Sequence, residues 1–502
     1  RVRADTSAAN WWLLDIADGY AGTSVERAYR ELLAGRRPDT VVVAIIDSGV
    51  EVDHPDLDGV LWTNRRETPG NGRDDDGNGY VDDVHGWNFI GGAGGRNVHF
   101  DTYEVTRLYG QLRPRCEAGG AAPECAQWAE VRRKYEARRQ EETQLLAGYR
   151  QYDAMFQGYA ATLRQALGGQ QPTPERVRAL TSVSPAVREA RQQYLALQAQ
   201  GLTPEKLHAA REELEGLVRY ALDPAFDPRS TVGDNYANPR ERVYGNNDYE
   251  GPAAEHGTHV SGIVGAERGN GMGIDGIAPV RLMILRAVPM GDERDKDVAN
   301  AIRYAVDNGA RIINMSFGKA FSPQKEVVDE AVRYADSRGV LMVHAAGNDN
   351  ADLNEEVSYP RRAYASGGAP ALWLEVGASS WQGGEALAAT FSNYGRGHVD
   401  LFAPGVAILS SVTDQGYERN EGTSMAAPVV SGVAALVLAY YPRLTGAQLK
   451  DILLRSAQRF DQRVVRPGSE SERLPFAELS DTGGIVNAYA ALQLARQVAG
   501  SR

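Results

Sequence analysis

Largely apolar runs rich in β-branched side chains recur at 41–46, 281–288, 310–316, 339–346, 373–378 and 399–402. A short run without polar alternation predicts a strand covered on both faces, as in a parallel sheet. Between and after them, 296–308, 325–338, 444–458 and 485–494 carry apolar residues at helical spacing. Strands and helices alternating in this way predict parallel βα units with right-handed crossovers, hence an α/β fold whose mostly parallel sheet has helices on both faces. Two more stretches, 256–265 and 429–438, are small or apolar all round and predict helices buried on every side; the second is too short to span a membrane.

The pattern divides the chain. Residues 1–40, with Trp11-Trp12-Leu13-Leu14 and a predicted helix over 24–33, read as an arm packed on the main body, which begins with 41–96 and resumes over 229–502. Between them, 97–228 has another texture: 126–168, 174–200 and 203–222 are rich in Ala, Leu, Glu, Gln and Arg and predict a module of long amphipathic helices. Its aromatic residues Trp128, Tyr135, Tyr149, Tyr152, Phe156 and Tyr159 are expected to pack these helices together. A lid, an exosite and a platform for a protein partner are all compatible with it. No internal repeat is visible.

The formal charge of −12 over 502 residues argues against a nucleic-acid partner. No stretch reads as a transmembrane helix or signal peptide, although the first residue is Arg1, which is compatible with a targeting segment already removed. Cys116 and Cys125, the two cysteines, are expected in a loop, either as a small disulfide ring suited to an oxidising compartment or as free thiols.

The candidate chemistry begins in an acidic loop. Asp74, Asp76 and Asn78 alternate, Gly79 permits a sharp turn, Tyr80 offers a carbonyl, and Asp82 and Asp83 follow. Oxygen ligands at every second position resemble the opening of a calcium loop, without its closing Glu, whose place falls on His85. A structural calcium is the expected cofactor, against a solvated acidic turn. His256 and His259, three apart, lack the intervening Glu and third ligand of a zinc site. Four polar residues stand at predicted strand ends or helix starts: Asp47, His256, Asn348 and Ser424. Acyl transfer needs an oxygen nucleophile, a base, an acid that orients the base, and oxyanion donors, and these four side chains supply that set.

These motifs closely resemble those of the subtilisin-like serine proteases, in their chain order of Asp, His and Ser. Asp47-Ser48-Gly49, His256-Gly257-Thr258-His259-Val260, Ala345-Ala346-Gly347-Asn348 and Gly422-Thr423-Ser424-Met425-Ala426-Ala427-Pro428 match the segments of the acid, base, oxyanion donor and nucleophile. Met315-Ser316-Phe317-Gly318 resembles the strand that flanks the substrate. The resemblance covers about 38–95 and 230–495. It implies a subtilisin-like three-layer sandwich carrying a helical insertion. It also implies a serine endopeptidase in which Ser424 attacks, His256 moves the proton, Asp47 orients His256, and Asn348 meets the oxyanion. Ser316, Phe317, Gly318, Ala345 and Gly347 would line the substrate site, a roomy pocket favouring an apolar or aromatic residue before the cut. Export to the periplasm or cell exterior and calcium binding are common in the family and are expected here. The chain departs from the family in its long link between Asp47 and His256, and in having no recognisable inhibitory pro-segment ahead of Arg1. The competing expectation is an inactive, protease-like binding protein working through the helical module.

Overall fold

The computed structural model describes residues 9–117, 119, 123–181, 184–199 and 202–500. The described residues form two compact units, one within 100–227 and the other of 9–99 and 228–500.

The larger unit is built on a nine-stranded sheet. In chain order its strands begin with β1 (Val41–Asp47), β2 (Gly86–Asn88), β3 (Val280–Arg286), β4 (Ile312–Met315), β5 (Leu341–Ala345), β6 (Trp373–Ser379) and β7 (Leu401–Pro404). A separate hairpin of β8 (Ile408–Val412) and β9 (Gly416–Asn420) follows, then β10 (Gln458–Arg459), a small ribbon of β11 (Arg463–Val465) and β12 (Arg473–Pro475), and β13 (Gly484–Ile485). The sheet order is β10-β13-β7-β6-β5-β4-β1-β3-β2, parallel except where the short β10 meets β13.

Alternation along β1 explains the layers. Val43 and Ile45 enter a core with the helices Glu255–Gly265 and Thr423–Tyr440, whereas Ala44 and Ile46 face Asp295–Asp307 and Lys325–Ser337. Each face is covered, so β1 does not alternate with polar residues. Trp11, Trp12, Val25 and Leu33 of the arm join the first core, and Trp11 Nε1 donates to the Val406 carbonyl. Thr423–Tyr440 is the one helix long and apolar enough to cross a membrane among the described residues, but most of it is buried inside this unit.

Register decides what meets at the carboxyl edge. Ile46 pairs with Met315, and Met315 with His344, so the residues that follow, Asp47, Ser316 and Ala345, stand in a row across three strands.

The smaller unit is helical. A 39-residue helix, Trp128–Ala166, packs Phe156, Ala160 and Leu163 against Val177, Ala190, Tyr194 and Leu207 from shorter helices. Tyr135 and Phe156 are buried there, but Tyr152 is 56% exposed and does not serve the packing expected of it.

Four local expectations are corrected. Cys116 ends a helix, Glu104–Cys116, stabilised by burial of Val105, Leu108 and Leu112 on one stripe, and it is disulfide-bonded to Cys125. The helix expected over 174–200 is divided into Pro174–Ala179 and Pro185–Ala199, because Pro185 lacks an N–H and suits a first turn. The β8–β9 hairpin was not foreseen; Asp414 and Gln415 both adopt left-handed φ, as its tight turn requires. Finally, Ile485 pairs with Phe402 in the sheet, and the last helix starts only at Ala488.

Candidate functional site

β1 carries Asp47 to the sheet edge, and the helix Glu255–Gly265 opens with His256 beside it. The two are joined by a 2.7 Å hydrogen bond from His256 Nδ1 to Asp47 Oδ1, which also accepts the Ser48 N–H at 2.7 Å. The Asp47 side chain is nearly buried, whereas 41% of the His256 side chain remains open. Desolvation lowers the His256 pKa, but the Asp47 charge and hydrogen bond outweigh it and hold it above the ordinary value.

Two glycines allow this approach. A Cβ on Gly257 would lie 2.1 Å from the Gly49 carbonyl oxygen and 3.2 Å from Asp47 Cβ. Gly49 has φ +121°, and a Cβ there would lie 1.8 Å from the Glu250 oxygen. Sequence reasoning missed Arg286, which is fully buried and donates to the Ser48, Asn88 and Val98 oxygens, tying down the loop after Asp47. Burial lowers its pKa to about 10. A lone arginine ending an apolar strand was its only signal.

Ser424 lies in the first turn of Thr423–Tyr440, with Pro428 still near that end of the helix. Its Oγ donates to the Ser316 carbonyl at 3.1 Å, and Ser316 Oγ donates back to the Ser424 carbonyl at 2.9 Å. Ser316 is the residue next to Asp47 in the edge row, so Ser424 is held at the same end of the sheet as the Asp47–His256 pair. Among the described residues no Ser424–His256 hydrogen bond is formed; the serine hydroxyl is given to the Ser316 carbonyl instead. Asn348 Oδ1 accepts from Thr423 N at 2.8 Å and Thr423 Oγ1 at 2.9 Å, which fixes the orientation of the amide. Asn393, also missed, holds this turn by donating to the Ala346 carbonyl and accepting from Asp349 and Ala351.

The residues expected to line the substrate site follow β4 and β5. Ser316 and Ala345 are buried, Phe317 and Gly347 half-buried, and Gly318 exposed. Lys319 and Tyr359 exchange backbone hydrogen bonds of 2.8 Å, which places Ser358 and Tyr359 behind Gly318. His259 is fully buried and donates through Nε2 to the Ile408 and Glu418 carbonyls. Burial pushes its pKa down to about 4, so it is a neutral structural ring.

In the acidic loop the structure regroups the expected ligands. Asp74 accepts from the Gly77, Asn78 and Gly79 N–H groups, and Asp82 from those of Asn71 and Gly72; both carboxylates close turns. Asn78 bonds Asp83, and the Tyr80 ring packs against Trp87 while its hydroxyl donates to the Arg242 carbonyl. The carboxylates that converge, with oxygens within 4.8 Å of one another, are those of Asp76, Asp83 and Glu67. Glu67 lies seven residues before the motif, where spacing gave no signal. Burial raises the Asp83 pKa, the Tyr304, Asn78 and Asn64 hydrogen bonds oppose this, and the nearby Asp76 charge adds to it. This all-oxygen, carboxylate-rich donor set fits a hard divalent cation such as calcium.

The chain was compared with known proteins. It is 40% identical over 194 residues to the thermophilic serine proteinase of Bacillus sp. (strain AK1), covering 38% of this chain and 44% of that one. It is 37% identical over 204 residues to subtilisin BL of Lederbergia lenta, covering 40% and 70%. It is 42% identical over 199 residues to the halolysin-like extracellular serine protease Nep of Natrialba magadii, covering 39% and 34%. The chain thus spans about half the length of the curated relatives it matches. The model of the subtilase family, Peptidase_S8, matches residues 39–471, which include the acidic loop, the Asp47–His256 pair and the Ser424 helix, and this chain belongs to that family.

Proposed function

We propose that this protein is a serine endopeptidase acting on extended polypeptides. The observation that carries the reading is the Asp47–His256 hydrogen bond at the sheet edge where Ser424 is also anchored. Ser424 Oγ attacks the scissile carbonyl carbon as His256 Nε2 takes its proton, and Asp47 holds the other ring nitrogen and stabilises the imidazolium. The oxyanion receives hydrogen bonds from Asn348 Nδ2 and the Ser424 backbone N–H. His256 then protonates the departing amine, and a water activated by the same ring releases the acyl group. Asn348 suits its part because Thr423 occupies its Oδ1 and leaves the amide hydrogens to the substrate.

The segment after β4 would pair with the peptide backbone. Ser316, Gly318, Ala345 and Gly347 bring no fixed charge, which supports an apolar or aromatic residue before the cut. A calcium ion held by Glu67, Asp76 and Asp83 would neutralise three converging carboxylates in the loop after β1; it takes no part in the chemistry. The Cys116–Cys125 disulfide supports action outside the cytosol, as the name of the Natrialba relative says of that protein.

The test is cleavage of a mixed peptide library by the intact protein and by Ser424→Ala, with a serine-directed phosphonate as label. Cleavage and labelling that both vanish in the variant support the reading. A phosphonate that fails to label Ser424 in the intact protein overturns it.

A further inference from the structure

Behind the segment that follows β4 lies a buried, hydrogen-bonded pair that the proposed mechanism does not use. His344 on β5 and Glu375 on β6 are partners in strand register. The His344 ring is fully buried, its Nδ1 2.7 Å from Glu375 Oε1 and its Nε2 2.8 Å from the Phe317 carbonyl oxygen. The second Glu375 oxygen accepts Trp373 Nε1–H at 2.8 Å, and the Glu375 N–H donates to Asp400 Oδ2.

A carbonyl oxygen only accepts, so the contact with Phe317 requires a proton on His344 Nε2. A second proton lies between Nδ1 and Glu375 Oε1, and Glu375 Oε2 accepts from Trp373 whichever of the two holds it. A ring without the Nε2 proton would set a bare nitrogen against the Phe317 carbonyl, in a place closed to water. The other charged and titratable groups nearby are Asp400 and Arg362, which pair with each other at 3.0 Å, Lys450 beside Asp400, and His398 beside Glu375. The remaining neighbours are the rings of Trp373 and Phe317.

The carbonyl that His344 grips belongs to the peptide unit between Phe317 and Gly318. That unit is pinned at two points, by His344 on one side and, one residue later, by the paired backbones of Lys319 and Tyr359. Between the pins, a Cβ on Gly318 would stand 3.2 Å from Ser358 Oγ, so the segment has little room to shift toward Ser358.

We propose that His344, oriented by Glu375 so that its Nε2–H donates to the Phe317 carbonyl, is a positioning residue that holds the Phe317–Gly318 wall of the substrate pocket and so sets its preference for large side chains. The substrate part rests on the endopeptidase reading above; the wall-holding part does not.

The experiment compares the intact protein with His344→Ala and Glu375→Gln. Nitrogen-15 NMR of the intact protein at neutral pH is expected to show a proton on His344 Nε2; a bare Nε2 overturns the proposal. In His344→Ala the Lys319 amide should exchange its hydrogen faster. KM for a peptide with Phe before the cut should rise about fivefold, the loss of one buried hydrogen bond. KM for the corresponding Ala peptide, and kcat for both, should stay within about twofold. Glu375→Gln lets a singly protonated ring satisfy every partner, because the Gln amide can donate to Nδ1 and accept from Trp373, and it should preserve the Phe-peptide KM. If His344→Ala does not fold, Glu375→Leu, which frees the ring, should give the same selective loss. Equal losses on Phe and Ala peptides, or an unchanged Lys319 exchange rate, overturn the proposal. If even the intact protein cleaves nothing, the endopeptidase reading has failed, and the NMR and exchange results alone decide whether His344 holds the wall.

Discussion

His256 is active as a base only when its ring is neutral, and its pKa lies above the ordinary 6.5 because the Asp47 charge and hydrogen bond outweigh desolvation. The acidic limb of kcat/KM is therefore expected to have its midpoint above 6.5, with activity rising as pH passes through it. Asp47→Asn should move that midpoint down, since the desolvation remains and the charge is gone, and should lower kcat by roughly 10⁴-fold by favouring the wrong tautomer. A pH–rate profile of both proteins checks the sign; an unchanged midpoint would remove Asp47 from this role. Asn348→Ala should lower kcat by about 10²–10³ while KM changes little, because the donor is used only when the oxyanion forms. Steady-state kinetics separates the two quantities, and equal losses in both would count against an oxyanion donor. The polar residues proposed for catalysis were legible one by one, each at the end of a predicted strand or the start of a predicted helix. The partners that aim them, Thr423 and Asn393, were not, because an amide oxygen finds its donors across 75 and 42 residues of chain.

At the scale of elements, the site depends on how closely β1 and the Glu255–Gly265 helix approach. Gly257→Ala places a Cβ 2.1 Å from the Gly49 oxygen, and backbone cannot yield as a flexible side chain would. The helix start should shift, lowering stability by about 1–3 kcal/mol and carrying His256 off its partner. Thermal unfolding and kcat are expected to fall together; a variant with full activity would mean that the loop after β1 gives way freely. Apolar runs placed the core strands well, since two-sided burial leaves no alternation to confuse the period. The β8–β9 hairpin escaped because its second strand, Gly416–Asn420, is largely polar and buried only in part. Its turn residues Asp414 and Gln415 are not the glycine pair that would have announced it.

Across the whole molecule the formal charge is −12, and Glu67, Asp76 and Asp83 gather at one point where Arg66, 2.9 Å from Asp76, offsets part of their charge. A cation bound there stabilises the folded chain by mass action, about 2.7 kcal/mol when free calcium is a hundredfold above its Kd. Chelation is therefore expected to lower Tm, and Glu67→Gln should shrink the difference between calcium and chelator. Calorimetry in both conditions checks this, and a Tm indifferent to calcium would leave the loop as an acidic turn held by its own N–H donors. The same measurement tests the ligand role expected of Asp74 and Asp82 from the sequence: both close turns through backbone hydrogens, so their substitution should disturb the loop with calcium or without it.

By itself, the sequence determined the layered α/β body, the helical character of 97–228, and the short motifs at the ends of strands and starts of helices. Those features arise from local spacing: apolar period, small residues before a helix, a polar residue closing a buried run. Only tertiary structure decided which carboxylates converge, that Ser424 lies against Ser316, that Arg286 supports the loop after Asp47, and that His344 reaches both Glu375 and Phe317. Each of these contacts joins residues far apart in the chain, and parallel strand register, which no local pattern encodes, sets which side chains stand in one row.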